Sequence, residues 1–139
     1  MITAAYSVEI GPLLDVARRA GARIMEIYAR DFEIGYKADQ SPLTEADKAG
    51  NEVIMEFLRV AHAGTPVISE ENKQIEYAER RDWTRFWLVD PLDGTKEFIK
   101  KNGEFTVNIA LVEKGVPVIG VVYRPVTDTL YLGGGGEGA

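Results

Sequence analysis

Three short segments of this 139-residue chain gather carboxylates where predicted elements end. They are Asp39-Gln-Ser-Pro-Leu-Thr-Glu-Ala-Asp47, Ser69-Glu-Glu71 and Asp90-Pro-Leu-Asp-Gly-Thr95. The third carries the most chemistry. The apolar run Phe86-Trp-Leu-Val89 should bury itself as a strand and deliver Asp90 at its end. Pro91 stiffens the turn, Asp93 is placed to cap a helix that starts near Gly94, and Gly94 lets the backbone approach a ligand closely. Thr95 and Lys96 would then present first-turn N–H groups to an anion. Two carboxylates beside a phosphate cradle repel that anion unless cations sit between them. Oxygen donors, no Cys and one His favour Mg²⁺ over zinc or copper. The chemistry this points to is metal-assisted hydrolysis of a phosphoryl group.

Each segment also has a purely structural reading. Thr44-Glu-Ala-Asp47 fits a helix N-terminal box, with Thr44 capping and Asp47 near the positive end of the dipole. Glu70-Glu71 reads alone as a solvated acidic pair. A dehalogenase-type phosphatase motif, with two Asp residues two apart before Gly-Thr, fails on spacing. Here Asp90 and Asp93 are three apart, and Leu92 stands where that motif needs its first Asp.

The elements that must position these segments follow from periodicity. Ile10, Leu13, Leu14, Ala17, Gly21, Ile24, Met25 and Tyr28 recur at helical spacing, which predicts an amphipathic helix over residues 8–28. Residues 32–37 read as a weak strand and 38–44 as a turn-rich loop around Ser41-Pro42. A second helix is expected over 45–63, with Val53, Ile54, Phe57, Leu58 and Ala61 inward, and Pro66 stops it. Strands are expected at 66–69, 86–89, 105–112, 116–123 and 129–132, with a short helix over 94–101. His62 reads as a surface residue; Trp83, Phe86 and Trp87 read as core and boundary packing. Two helices followed by a mostly antiparallel sheet make an α+β domain.

Composition narrows the classes. Hydrophobic residues at 45% and charged residues at 27% exclude a disordered chain. The absence of cysteine excludes disulfides, thiolate metal sites and a cysteine nucleophile. A net charge of −6 argues against nucleic acid as partner. The N-terminus has neither a basic nor an apolar leader region, which argues against secretion. The apolar runs near 107–112 and 116–123 are too short for a helical membrane span.

With Glu70-Glu71, Asp90–Thr95 and the upstream Ser-Pro-Leu-Thr-Glu-Ala-Asp47 in the right order and spacing, the chain resembles the inositol-monophosphatase superfamily of Mg²⁺-dependent, lithium-sensitive phosphatases. The stretch Lys96-Glu-Phe-Ile-Lys-Lys-Asn-Gly-Glu-Phe-Thr-Val-Asn-Ile-Ala-Leu111 resembles its 3′(2′),5′-bisphosphate nucleotidase branch. The resemblance covers nearly the whole chain. It implies the N-terminal half of a layered αβαβα fold, and Glu70, Asp90 and the Leu92 carbonyl as ligands of a first Mg²⁺. Asp90 and Asp93 would reach toward a second ion. The N–H groups of Gly94 and Thr95 would hold the phosphate, with Glu70, Leu92 and Asp93 also lining the substrate site. Glu70 and the Thr95 hydroxyl, paired with Asp47, would orient and activate the attacking water. Lys37 would lie on a loop that approaches the metals.

The expected substrate is adenosine 3′,5′-bisphosphate, released as AMP; the alternatives are an inositol or sugar phosphate, or a non-catalytic fragment that binds Mg²⁺ or an anion. By the same resemblance the protein would be cytoplasmic, able to associate peripherally with the inner face of the membrane, and often a homodimer. Family members are about twice as long, and their second domain supplies a further Asp to the second metal. Residues 1–132 are therefore expected to form the N-terminal metal-binding domain and 133–139, GGGGEGA, a glycine-rich loop. On that expectation the C-terminal α/β domain is absent and the 139 residues alone are weakly active or inactive.

Overall fold

The computed structural model describes residues 2–3, 8–29, 42–69 and 82–134. In chain order these form β1 (Ile2–Thr3), β2 (Val8–Glu9), α1 (Ile10–Tyr28), α2 (Pro42–Ala61), β3 (Val67–Ser69) and β4 (Arg85–Asp93). Then follow α3 (Thr95–Lys100), β5 (Thr106–Glu113), β6 (Val116–Arg124) and β7 (Thr129–Gly134). The five strands β3-β4-β5-β6-β7 lie side by side in that order. β3 runs parallel to β4; every other neighbouring pair is antiparallel. The expected α+β architecture, two helices on a mostly antiparallel sheet, is the one observed.

Amphipathic faces explain the layering. Leu13, Val16, Ala17, Ala20, Ile24 and Ile27 of α1 are buried in one stripe. On β5 the odd positions Val107, Ile109 and Leu111 are buried against the helices, while Thr106, Asn108 and Ala110 are only half-buried. Trp87, Val89, Ile119 and Val121 complete the covered side of the sheet. Small residues bring helix and sheet together: a Cβ at Gly21 would run into the Tyr123 ring.

Several boundaries differ from the expectation. α1 begins at Ile10 because Val8 and Glu9 pair with Thr3 and Ile2 as a short antiparallel ribbon. α2 begins at Pro42, so Thr44 lies inside its first turn and is not the cap. Pro42 suits that start, since its fixed φ is preset for a helix and its missing N–H would have had no intrahelical partner. β4 does not end at Asp90 but continues to Asp93. β7 includes Gly133 and Gly134, which pair with Gly120 and Ile119 where a loop was expected. The strand expected at 32–37 lies outside the described residues, as do residues 135–139. Among the described residues, no helix is long and apolar enough to cross a membrane.

Two clusters of rings fasten the layers. Tyr28, at the end of α1, stacks obliquely on Phe98 and Phe105, with centroids 5.4 and 4.9 Å away. Phe98 and Phe105 meet edge to face at 5.2 Å, both fully buried. A six-residue helix is too short to hold itself together in water, so Phe98 is what keeps α3 in place. On the other side of the core, His62 lies between Phe57 and the buried Trp87, with ring centroids 6.0 and 5.1 Å away. His62 is thus half-buried packing and not the surface residue expected. Desolvation, and secondarily the nearby Arg85 charge, hold its pKa below the ordinary value.

Truncating Phe98 to Ala should cost about 3–5 kcal/mol of unfolding free energy by urea titration, the range for a buried aromatic. His62 gives a pH signature. Because its folded pKa is depressed, the unfolded chain binds more protons, so stability falls as pH drops below the ordinary histidine value of about 6.5. In His62→Asn that part of the decline should vanish, measured as a flatter melting temperature between about pH 7 and 5.

Candidate active site

Alternation along a strand should place Asp90 and Asp93, three residues apart, on opposite faces of the sheet. The ladder prevents this. Asp90 pairs with Asn108 and Asp93 with Thr106, so Pro91 and Leu92 together face the single residue Val107. This is a β-bulge, one residue extra on β4, and it brings both carboxylates opposite two same-face residues of β5. Pro91 belongs in such a break because it has no N–H to give the ladder. The Leu92 N–H instead donates to Asp90 Oδ1 at 3.3 Å. Pro91 and Leu92 are buried, Asp90 is half-buried and Asp93 is exposed. The bulge therefore anchors itself on the core side and leaves the acids outward.

Gly94 follows at φ +95°, a left-handed conformation, and serves as the N-cap of α3. Gly94 has no side chain to cap with, and among the described residues the Asp93 carboxylate is engaged elsewhere, so it does not take the capping role expected of it. The Asp93 carboxylate turns the other way and accepts a hydrogen bond from Asn108 Nδ2 at 3.2 Å. Asn108 Oδ1 in turn accepts from the Thr106 hydroxyl at 3.0 Å. Thr95 is exposed at the first position of α3, directly after Gly94.

α2 approaches from the covered side. A Cβ on Gly50 would lie 2.9 Å from Ile24 Cδ1, so the absence of a side chain sets how near α2 comes to α1, while the same Cβ would meet Pro91 Cβ at an ordinary 3.4 Å. Asp47 lies one turn earlier on the same helix, half-buried, with its Oδ1 withdrawn from solvent. Asn51, one residue after Gly50, accepts a 2.7 Å hydrogen bond from the hydroxyl of Ser69, the last residue of β3. Ser69 is buried and pairs with Val89, the residue before Asp90. The carboxyl ends of two parallel strands thus meet at the acids, the usual place for a ligand in parallel pairings.

Glu70, Glu71, Lys37 and Asp39 lie outside the described residues. Among the described residues, no group of three or more His, Asp or Glu side chains is gathered closely enough to hold a metal ion. Asp90, Asp93 and the Leu92 carbonyl are oxygen donors of the kind a hard divalent cation takes, and with Glu70 they fit Mg²⁺ by donor chemistry. A groove of about 710 Å³ lies elsewhere, along the second half of α2, lined by Asn51, Met55, Arg59, His62 and Val67. It contains neither Asp90 nor Asp93.

Asn51, Thr106 and Asn108 received no role from the sequence. The alternation of β5 held a signal for two of them: Thr106 and Asn108 are polar at positions that face away from the helices. Asn51 has no such signal, because its partner Ser69 is 18 residues away.

Comparison with known proteins identifies relatives of this geometry. The family model described as the inositol monophosphatase family matches residues 9–139. The 3′(2′),5′-bisphosphate nucleotidase CysQ of Salmonella typhimurium is 53% identical over 124 residues, covering 88% of this chain and 50% of that protein. The crystal structure of CysQ from Bacteroides thetaiotaomicron superposes with a TM-score of 0.81 at 52% identity, covering 90% of this chain and 45% of that one. Inositol monophosphatase II from Staphylococcus aureus superposes at 0.75 with 27% identity, covering 93% of this chain and 47% of that one. The chain spans about half the length of the curated relatives it matches.

Gly94 offers a direct test of the turn. A Cβ there would sit 3.2 Å from the Phe105 backbone, and the left-handed φ adds about 1–2 kcal/mol for any L side chain. Gly94→Ala should lower unfolding free energy by at least that much in urea titration.

Proposed function

The chain belongs to the inositol monophosphatase family, and on that premise we propose that its protein is a Mg²⁺-dependent phosphomonoesterase. Its substrate is adenosine 3′,5′-bisphosphate, from which it removes the 3′-phosphate to leave AMP. The observation that carries the reading is the bulge that turns Asp90 and Asp93 to one side. The 53% identity to a bisphosphate nucleotidase supports the choice of substrate.

Asp90, Asp93, the Leu92 carbonyl and Glu70 hold the cations in this reading. Bound Mg²⁺ supplies a lowered pKa for water and neutralises charge on the phosphoryl oxygens. The N–H groups of Gly94 and Thr95 orient the substrate phosphate. Glu70 and the Thr95 hydroxyl, paired with Asp47, align the attacking water and take up its proton. A P–O bond to that water forms as the bond to the ribose 3′ oxygen breaks, in line; that oxygen takes a proton from solvent to leave as the 3′-hydroxyl, and no side chain becomes phosphorylated. The site needs no nucleophilic residue, consistent with a chain that has no cysteine.

A second reading, an inositol or sugar phosphatase, draws on the likeness to the staphylococcal inositol monophosphatase. Phosphate release from adenosine 3′,5′-bisphosphate and from inositol 1-phosphate, each with Mg²⁺ and with or without Li⁺, separates the two. The nucleotide should be preferred and Li⁺ should inhibit; preference for inositol phosphate would overturn the substrate assignment. Because the chain spans half of its relatives, we propose that the 139 residues by themselves turn over weakly or not at all. Robust turnover by them would overturn that part. Asp90→Asn, tested in a version of the protein that turns over, should reduce kcat/KM by more than the roughly 10- to 100-fold typical of losing an outer partner of a metal ligand.

A further inference from the structure

We propose that Asn108 is a positioning residue for the candidate cation site, acting through Asp93 and anchored by the Thr106 hydroxyl. The inference rests on the reading of Asp93 as a cation ligand. The contacts that carry it are the Asn108 Nδ2 to Asp93 Oδ2 hydrogen bond at 3.2 Å and the Thr106 Oγ1 to Asn108 Oδ1 hydrogen bond at 3.0 Å.

An ionised carboxylate only accepts, so the amide atom that faces Asp93 must be the nitrogen. The opposite orientation would point a carbonyl oxygen at a carboxylate oxygen. The repulsion between those two oxygens disfavours that orientation; on the other side of the amide the Thr106 hydroxyl, which can donate or accept, anchors Asn108 by donating to Oδ1. Asp93 is exposed, and an exposed carboxylate without a partner samples several rotamers. With Oδ2 occupied by Asn108, the side chain is held while Oδ1 stays available to a ligand. The backbone provides the matching frame. Thr106 is the register partner of Asp93, and Asn108 is the register partner of Asp90. The two β5 side chains therefore lie opposite the two acids, on the face the helices leave open. Asn108 donates a hydrogen bond but supplies no charge, so it orders the site without adding to its repulsion. Outer partners of metal ligands act in this way, fixing a donor before the ion arrives.

The test measures divalent-cation affinity rather than turnover. Mn²⁺, standing in for Mg²⁺, is titrated into the 139-residue chain while the paramagnetic resonance signal of the free ion is followed. The wild type is compared with Asn108→Ala, Thr106→Val, Asp93→Asn and the double variant Asn108→Ala/Asp93→Asn. Affinity should fall about tenfold in Asn108→Ala, in line with other outer partners, and less in Thr106→Val. The double variant should bind no more weakly than Asp93→Asn alone, because a residue that acts only through Asp93 has nothing left to act on. A merely structural role for Asn108 would instead lower affinity additively, and this result would overturn the proposal.

Wild-type affinity in Asn108→Ala, with weakened binding in Asp93→Asn, would overturn the positioning role and leave the metal reading standing. Unchanged affinity in Asp93→Asn, or no binding by the wild type, would overturn the metal reading and the proposal together. Should Asn108→Ala fail to fold, Thr106→Val keeps the side-chain shape and probes the same link by removing the hydroxyl that anchors the amide.

Discussion

Everything at the candidate site depends on one extra residue in β4. A regular strand through Asp90 and Asp93 would send one acid into the core and the other to the open face. The bulge at Pro91 and Leu92 brings them to the same side, where their charges repel and where a cation becomes the natural neighbour. The same insertion frees the Leu92 N–H, which Asp90 recovers, and it places two apolar side chains against the core. A single irregularity thereby produces the charge concentration and secures it.

The rest of the fold holds that irregularity still. Gly50 lets α2 close on Ile24 of α1, and that packing seats the helix that carries Asp47. Phe98 and Phe105, with Tyr28, keep α3 docked, and with it the left-handed Gly94 that points the chain from strand to helix. These supports come from elements far apart in sequence, which makes the site a property of the packed domain. It does not belong to the six-residue motif alone.

How much of this was legible in the sequence follows from the range of each interaction. The amphipathic spacing of α1 and the alternation of β5, β6 and β7 are local patterns, and they survived with shifts of no more than two residues at either end. The Asp90–Thr95 motif and its resemblance to a phosphatase family were legible for the same reason. The bulge was not, because Pro91 reads locally as the end of a strand, and only the pairing with β5 shows that the strand continues. Asp93 looked like a helix cap because Asp is good at capping; Asn108, fifteen residues away, competes for it successfully. His62 looked superficial because its ring partner Trp87 lies on another element. The roles given to Glu70 and Lys37 fall on residues outside those described.

The bond between Ser69 and Asn51 governs one more property of the sheet. β3 is only three residues long and lies at the sheet's edge, so its ladder alone gives it little resistance to sliding. A shift by one residue would exchange its two faces, carrying Ser69 from the interior to the open side and withdrawing its hydroxyl from Asn51. The chain that continues beyond Ser69 would be displaced by the same step. A contact between helix and strand thus serves as a molecular index mark. It holds β3 in the register that keeps Ser69 buried and makes the phase of the edge strand answerable to α2.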